Sequence, residues 1–238
     1  MTPTRSSPRA RSALIGVLAL QGDFAEHIAS LRACGVDGPD GNGIDAVEVR
    51  TLEQLQSVDG LIIPGGESTT IARLLLAFDL MEPVRTRIRD GLPVWGTCAG
   101  AIMLANEVTN LDRPSIAAMD ITIERNAFGR QIDSFEENLQ ISGIEGPPLH
   151  AVFIRAPVIT RAGPSVEVLA RLGDGRIVAA RQGRLLATAF HPELTADHRM
   201  HALFARIVLG SIALSNRLPE QQSEQQGAAP TGEGVHLR

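Results

Sequence analysis

Val94-Trp95-Gly96-Thr97-Cys98-Ala99-Gly100-Ala101 is the stretch on which the reading of this chain turns. A short apolar run enters a Gly-x-Cys-x-Gly turn and leaves it as a helical stretch, the cysteine form of a nucleophile elbow. Glycines on both sides let the backbone turn sharply, with no Cβ to crowd the residue between them. The apical cysteine is then pushed out over the end of a sheet. The N-terminus of the following helix lies behind it and favours a thiolate over a thiol. Free cysteine is also a common small buried hydrophobe, so the pentapeptide gains meaning only beside a base and an anion-binding loop.

Outward from the elbow, the first half of the chain alternates strand and helix. Residues 13–20 form a continuous apolar run and read as a buried strand; 46–49, 60–63 and 93–95 read as further strands. Helical spacing covers 24–34, where Phe24, Ala25, Ile28 and Leu31 share a face, and recurs over 71–78 and 84–89. This alternation is the mark of a parallel α/β sheet. From Ile121 onward strand-like runs follow one another (121–123, 139–141, 151–154, 166–169, 177–180, 185–190), separated by turn signals such as Gly173-Asp174-Gly175. A long amphipathic helix is expected over 195–216. The fold class is therefore α/β: a mostly parallel central sheet flanked by helices, with added antiparallel strands.

Composition agrees with this and narrows the function. Hydrophobic residues make up 44% of the 238-residue chain, but there are only seven Phe, one Trp and no Tyr. The core must be aliphatic, as in strands buried on both faces. A net charge of −5 and the lack of a basic stripe argue against nucleic acid as a partner. Two cysteines, Cys34 and Cys98, are too few for a disulfide framework and suit a cytoplasmic protein. No apolar run is long enough to span a membrane. The Arg-, Ser- and Pro-rich segment 1–12 lacks the apolar core of a secretory signal and reads as a disordered extension. Residues 13–216 form the expected single domain, and the Gln- and Gly-rich 217–238 reads as a disordered tail.

A cysteine nucleophile needs a base and a group to orient that base. Phe190-His191-Pro192-Glu193 supplies both, at the end of a strand expected to reach the same sheet edge as Cys98. His191 and Glu193 are two apart and so point the same way on an extended backbone. A carboxylate there can fix the imidazole tautomer and stabilise the imidazolium. Pro64-Gly65-Gly66-Glu67-Ser68-Thr69 also follows a strand and opens a helix. Three uses fit it: a phosphate cradle, disfavoured by the missing Gly-Lys-Ser/Thr ending; one half of an oxyanion hole; or a tight turn with Ser68 as helix cap. The His198-x-x-His201 pair lacks companion ligands, which leaves solvent-facing histidines as the simpler reading and no metal site expected.

The elbow, the Pro-Gly-Gly-Glu-Ser loop and His-Pro-Glu, in this order, resemble the triad-type (class I) glutamine amidotransferases. Gly16-Val17-Leu18-Ala19-Leu20-Gln21-Gly22, Glu124-Arg125-Asn126-Ala127-Phe128-Gly129-Arg130-Gln131 and Phe153-Ile154-Arg155-Ala156-Pro157 extend the resemblance to the glutaminase subunits of pyridoxal 5′-phosphate synthase, over residues 13–210. That resemblance implies Cys98 as nucleophile, His191 as general base and acid, and Glu193 as its orienting partner. It implies the amides of Gly66 and Ala99 as the oxyanion hole, and Gly65, Gly66, Glu67, Arg125, Ile154 and Arg155 as the L-glutamine pocket. Gln21 would sit at the interface with a synthase partner, a (β/α)₈ barrel that receives the ammonia in a hetero-oligomeric complex. No cofactor is implied. The loop at 36–45 is longer than is usual in such proteins, and both tails are extra. Two other readings stay open: another thiol hydrolase on the same fold, such as a γ-glutamyl hydrolase, and a non-catalytic regulatory subunit.

Overall fold

The computed structural model describes residues 12–37, 43–125 and 134–225, with side chains described as far as Ser215. The 1–12 extension apart from Ser12, the middle of the long 36–45 loop, the Asn126–Gln131 part of the Arg125 block and the end of the tail lie outside the described residues.

Twelve strands and six helices follow one another as β1 (Ala13–Leu18), α1 (Phe24–Ala33), β2 (Ile44–Val49), α2 (Leu52–Ser57), β3 (Gly60–Ile63), α3 (Ser68–Ala77), α4 (Met81–Arg89), β4 (Val94–Thr97), α5 (Ala99–Leu104), β5 (Ala105–Thr109), β6 (Met119–Glu124), β7 (Ser134–Leu139), β8 (Leu149–Ile154), β9 (Val158–Ala162), β10 (Glu167–Arg171), β11 (Ile177–Gln182), β12 (Leu185–Thr188) and α6 (Arg199–Gln225), among the described residues. The main sheet runs β2-β1-β3-β4-β12-β11-β9-β6-β5, with β10 added on β11; β7 and β8 pair apart from it. From β2 to β12 all neighbours are parallel, and β11 and β9 then run antiparallel. This is the expected mixed sheet.

Some details differ from what the sequence predicts. The strand expected at 139–141 lies at Ser134–Leu139, and α2, β5 and β9 fall where the sequence reading expects no element. Edge strand β5 buries only Ala105 fully, so its pattern is mostly polar. The last helix begins at Arg199, because Pro192–Leu194 forms a separate 3-10 turn, and it continues past Asn216 to Gln225.

Alternation along the strands feeds two cores. Leu61, Ile63 and Val94 pack with Ile71, Leu75 and Val84 of α3 and α4 on one face. Ile15, Val17, Ile62 and Trp95 pack with Leu31 of α1 and Phe204 and Val208 of α6 on the other. The lone tryptophan is fully buried and donates from Nε1 to Thr188 Oγ1 at 3.1 Å. This stitches β4 to β12 just below the site, and the register pairs Thr97 with Thr188. Both strands therefore end level, and the residues that follow them emerge at one carboxyl edge.

Candidate active site

Cys98 follows β4 directly. Its backbone sits at φ 47°, ψ −103°, a left-handed conformation that side chains rarely adopt. Such strain persists only where the surroundings enforce it. The Cys98 amide donates to Thr188 O at 2.8 Å, and α5 starts at the next residue. On the inner side the turn is pressed onto β3, for a Cβ at Gly100 would lie 1.9 Å from Ile63 O. The thiol is buried, with Sγ 3.9 Å from the carbonyl oxygen of Ile154 at the end of β8.

His191 leaves β12 after three residues. Its amide donates to Val152 O of β8 at 2.8 Å, which fixes the turn that aims the ring. The ring shares the cleft with Cys98, and its Nδ1 lies 2.7 Å from Glu193 Oε1 behind it. Burial by itself would disfavour the imidazolium. Hydrogen bonds and charges from Cys98 and Glu193 outweigh that and push His191 up to about 10. Burial pushes the Glu193 carboxyl above its ordinary value, against the pull of the imidazole. Asp23, at the N-cap of α1, brings a second carboxylate to 3.8 Å from His191 Nδ1. No motif or spacing in the chain points to it.

The glycine loop after β3 lies across the cleft. Gly66 has φ 147°, and a Cβ there would strike Gln21 Oε1 at 2.4 Å, so Gln21 packs directly on the loop. The same oxygen accepts from the Glu67 amide at 2.8 Å. Glu67, not Ser68, caps α3: its carboxylate accepts from the amides and hydroxyls of Thr69 and Thr70. Ser68 is buried one position inside. Partial burial of Glu67 is more than offset by these four donors, which draw its carboxyl down to about 2. Arg125 Nη2 stands 3.3 Å from Glu67 Oε1, and its Nη1 donates to Asn110 O at 2.9 Å. Arg155, at φ 42°, is exposed and has no hydrogen-bond partner among the described residues.

Cys98, His191, Gln21, Gly66, Glu67, Ala99, Arg125, Ile154 and Arg155 all line one cleft of about 340 Å³, joined by Asp23, Ser68 and Ile102. Gly65 is buried and does not line the cleft; a Cβ there would lie 2.4 Å from the His191 ring. Glu193 stands behind His191, out of contact with the cleft. A larger cavity of about 650 Å³ lies near Leu92 and Leu185, at the opposite end of β4 and β12. Arginines line it, but Arg85 and Arg184 are engaged by the carbonyls of Ile116 and Gly91. Among the described residues its lining has no cysteine, serine or threonine, so the smaller cleft is the candidate reaction site.

The two histidines of the 198–201 pair are not both at the surface, contrary to expectation. His201 is fully buried, and its Nε2 lies 3.0 Å from Nδ1 of His27, a buried histidine of α1. His27 in turn reaches Thr97 Oγ1 at 3.1 Å and Glu193 Oε2 at 3.3 Å.

An elbow cysteine, a carboxylate-backed histidine and a facing glycine loop, on a mixed α/β sheet, define a class I glutamine amidotransferase fold and site. A solved structure titled as a glutamine amidotransferase superposes with a TM-score of 0.74 at 48% identity, covering 82% of this chain and 98% of that one. A putative GMP synthase protein from Thermoplasma acidophilum, only 17% identical, shares the fold with a TM-score of 0.57 over 89% of this chain and 99% of that one. The chain belongs to the SNO glutamine amidotransferase family, whose model matches residues 17–209. Pyridoxal 5′-phosphate synthase subunit PdxT of Rhodococcus jostii is 53% identical over 205 residues, 83% of this chain and 98% of the relative. The PdxT subunit of Herpetosiphon aurantiacus is 58% identical over 193 residues, 80% of this chain and 97% of the relative.

Proposed function

We propose that the protein hydrolyses L-glutamine to glutamate and ammonia, and passes the ammonia to the synthase subunit of a pyridoxal 5′-phosphate synthase complex. The observation that carries this reading is the elbow thiol of Cys98 sharing a cleft of about 340 Å³ with His191, whose ring is hydrogen-bonded to Glu193.

His191 takes the thiol proton, and Sγ of Cys98 attacks the side-chain carboxamide carbon. Negative charge gathers on the carboxamide oxygen, between the amides of Gly66 and Ala99. Losing one such donor typically raises a barrier by about 3 kcal/mol. The C–N bond breaks as His191 returns its proton to the leaving ammonia, and a glutamyl thioester remains on Cys98. Water, deprotonated by His191, attacks that thioester; glutamate leaves and the thiol is restored. Glu193 holds the imidazole in the tautomer that keeps its lone pair toward sulfur.

Gly65, Gly66, Glu67, Arg125, Ile154 and Arg155 form the glutamine pocket in this reading. Arg125 is already committed to Glu67 and Asn110, so Arg155 is the guanidinium better placed to bind the α-carboxylate. Gln21 braces the glycine loop from the side where a partner would dock. The partner in this reading is a (β/α)₈ barrel. Among the described residues no helix is long and apolar enough to cross a membrane, and two free cysteines fit a cytoplasmic enzyme.

Glutamate release from glutamine, measured for the chain with and without the synthase subunit, tests the reading. Release that rises on adding the synthase is expected; a folded sample that releases none in either condition overturns it.

A further inference from the structure

Behind the triad the buried polar groups do not stop at Glu193. Its Oε1 takes the hydrogen bond of His191, but Oε2 is sealed from solvent and makes no well-aligned bond of its own. His27 Nε2 stands 3.3 Å from that oxygen and 3.1 Å from Thr97 Oγ1. His27 Nδ1 meets His201 Nε2 at 3.0 Å, and His201 Nδ1 has no partner among the described residues. His27 and His201 are both wholly buried, and both pack edge-on against Trp95.

Proton bookkeeping along this series has one economical solution. A carboxylate oxygen only accepts, so His27 must present N–H at Nε2. Its Nδ1 is then an acceptor and needs a donor, which makes His201 the Nε2–H tautomer. The nitrogen left over, His201 Nδ1, is then a bare acceptor. The reverse arrangement points a lone pair of His27 at Oε2 and buries an unpaired N–H at His201 Nδ1, a costlier defect. Burial, with further lowering from neighbouring histidines, holds His27 well below 6.5 and His201 down to about 3, so both rings stay neutral as the scheme requires.

We propose that His27 is a positioning residue of the reaction: its Nε2–H, shared between Thr97 and Glu193, holds the Glu193 carboxylate ionised and aimed at His191, and His201 locks His27 in the tautomer that does so. The inference rests on the glutaminase reading for its rate consequences, but its structural content is independent of it. Helix α1 thereby joins the residue beside the nucleophile, Thr97, to the group that orients the base. The groups facing Glu193 are His191, His27 and, at longer range, Asp23, whose charge also disfavours the carboxylate. Losing the His27 donor therefore makes Glu193 easier to protonate.

The test compares His27→Leu with His27→Gln in the complex with the synthase subunit. Glutamine at 27 keeps both an N–H donor and an oxygen acceptor. His27→Leu is expected to lower kcat about ten- to hundredfold with KM for glutamine little changed, and to move the acid limb of the kcat–pH profile upward. His27→Gln is expected to recover most of the rate and the profile. A folded His27→Leu enzyme with wild-type kcat and profile overturns the proposal, as does equal loss in both variants with an unmoved profile. Nitrogen-15 NMR of histidine-labelled wild-type protein decides the matter even where His27→Leu does not fold. Nε2–H at both His27 and His201 is expected, and Nδ1–H at either contradicts the scheme. A wild-type sample with these tautomers but no glutamine hydrolysis would count against the glutaminase reading alone.

Discussion

Gly100 meets the carbonyl oxygen of Ile63 so closely that a Cβ at position 100 would lie 1.9 Å from it. The contact clamps the first turn of α5 onto the end of β3. It also fixes the left-handed Cys98 between a strand and a helix that cannot separate. Gly100→Ala is expected to destabilise the fold by about 1 to 3 kcal/mol through overpacking, and to lower activity further by displacing the Ala99 amide. Gly173→Ala, where a Cβ meets nothing within 4 Å among the described residues, should stay within about 0.5 kcal/mol of wild type. Urea denaturation midpoints of the two variants check this.

His191 offers a pH prediction with a definite sign. Its folded value, about 10, lies above the ordinary 6.5 because Cys98 and Glu193 outweigh burial. A raised value means the stabilisation is fully present below about 6.5 and is lost as pH rises toward 10. NMR titration of the His191 ring should give a value near 10 in the wild type and a clearly lower one in Cys98→Ala, which removes a hydrogen bond and a charge. An unchanged value in the variant would show that the thiol does not act on the ring.

Glu67 titrates in the opposite sense. With its carboxyl drawn from 4.5 to about 2, its contribution is complete above about 4.5 and fades as pH falls toward 2. Glu67→Ala removes the cap of α3, a loss typically of about 1 kcal/mol, and frees Arg125. Thermal melts at pH 7 and pH 3 should show a smaller difference between variant and wild type at pH 3.

Arg155→Ala is expected to raise KM for glutamine by about ten- to hundredfold, the range of a charged hydrogen bond worth about 1.5 to 3 kcal/mol, with a smaller change in kcat. Arg125→Ala should affect stability as well, because that guanidinium ties Glu67 to Asn110 O. Steady-state kinetics of both variants distinguish the two roles. Equal KM for Arg155→Ala and wild type would remove Arg155 from the carboxylate site.

Cys98, the glycine loop and His191 can be found in the sequence because each carries a local signature at a strand end, whereas Gln21, Arg125, Ile154 and Arg155 come only from the family resemblance. The elbow has its paired glycines, the loop after β3 has its Gly-Gly, and His191 has Glu193 two residues on. What lies behind them leaves no such mark. In α1 the apolar spacing selects Phe24, Ile28 and Leu31, whereas the helix buries His27, Ser30 and Leu31. His27 is a lone histidine on one helix, and nothing local links it to His201 on another. Only the packing of α1 against α6 beneath Trp95 brings them together. Asp23 and Ser68 are hidden for a related reason. A residue that caps or opens a helix has a sufficient local explanation, and its place at the cleft depends on loops far apart in the chain.

In the proposed reaction the thiol of Cys98 carries the glutamyl group between ammonia release and glutamate release. The most direct measurement is peptide mass mapping of the chain, acid-quenched during glutamine turnover beside the synthase subunit, with glutamate release followed in parallel for wild type and Cys98→Ala. A glutamyl adduct is expected on the peptide holding Cys98, and no glutamate from a fully folded Cys98→Ala. Near-wild-type glutamate release from Cys98→Ala would contradict it.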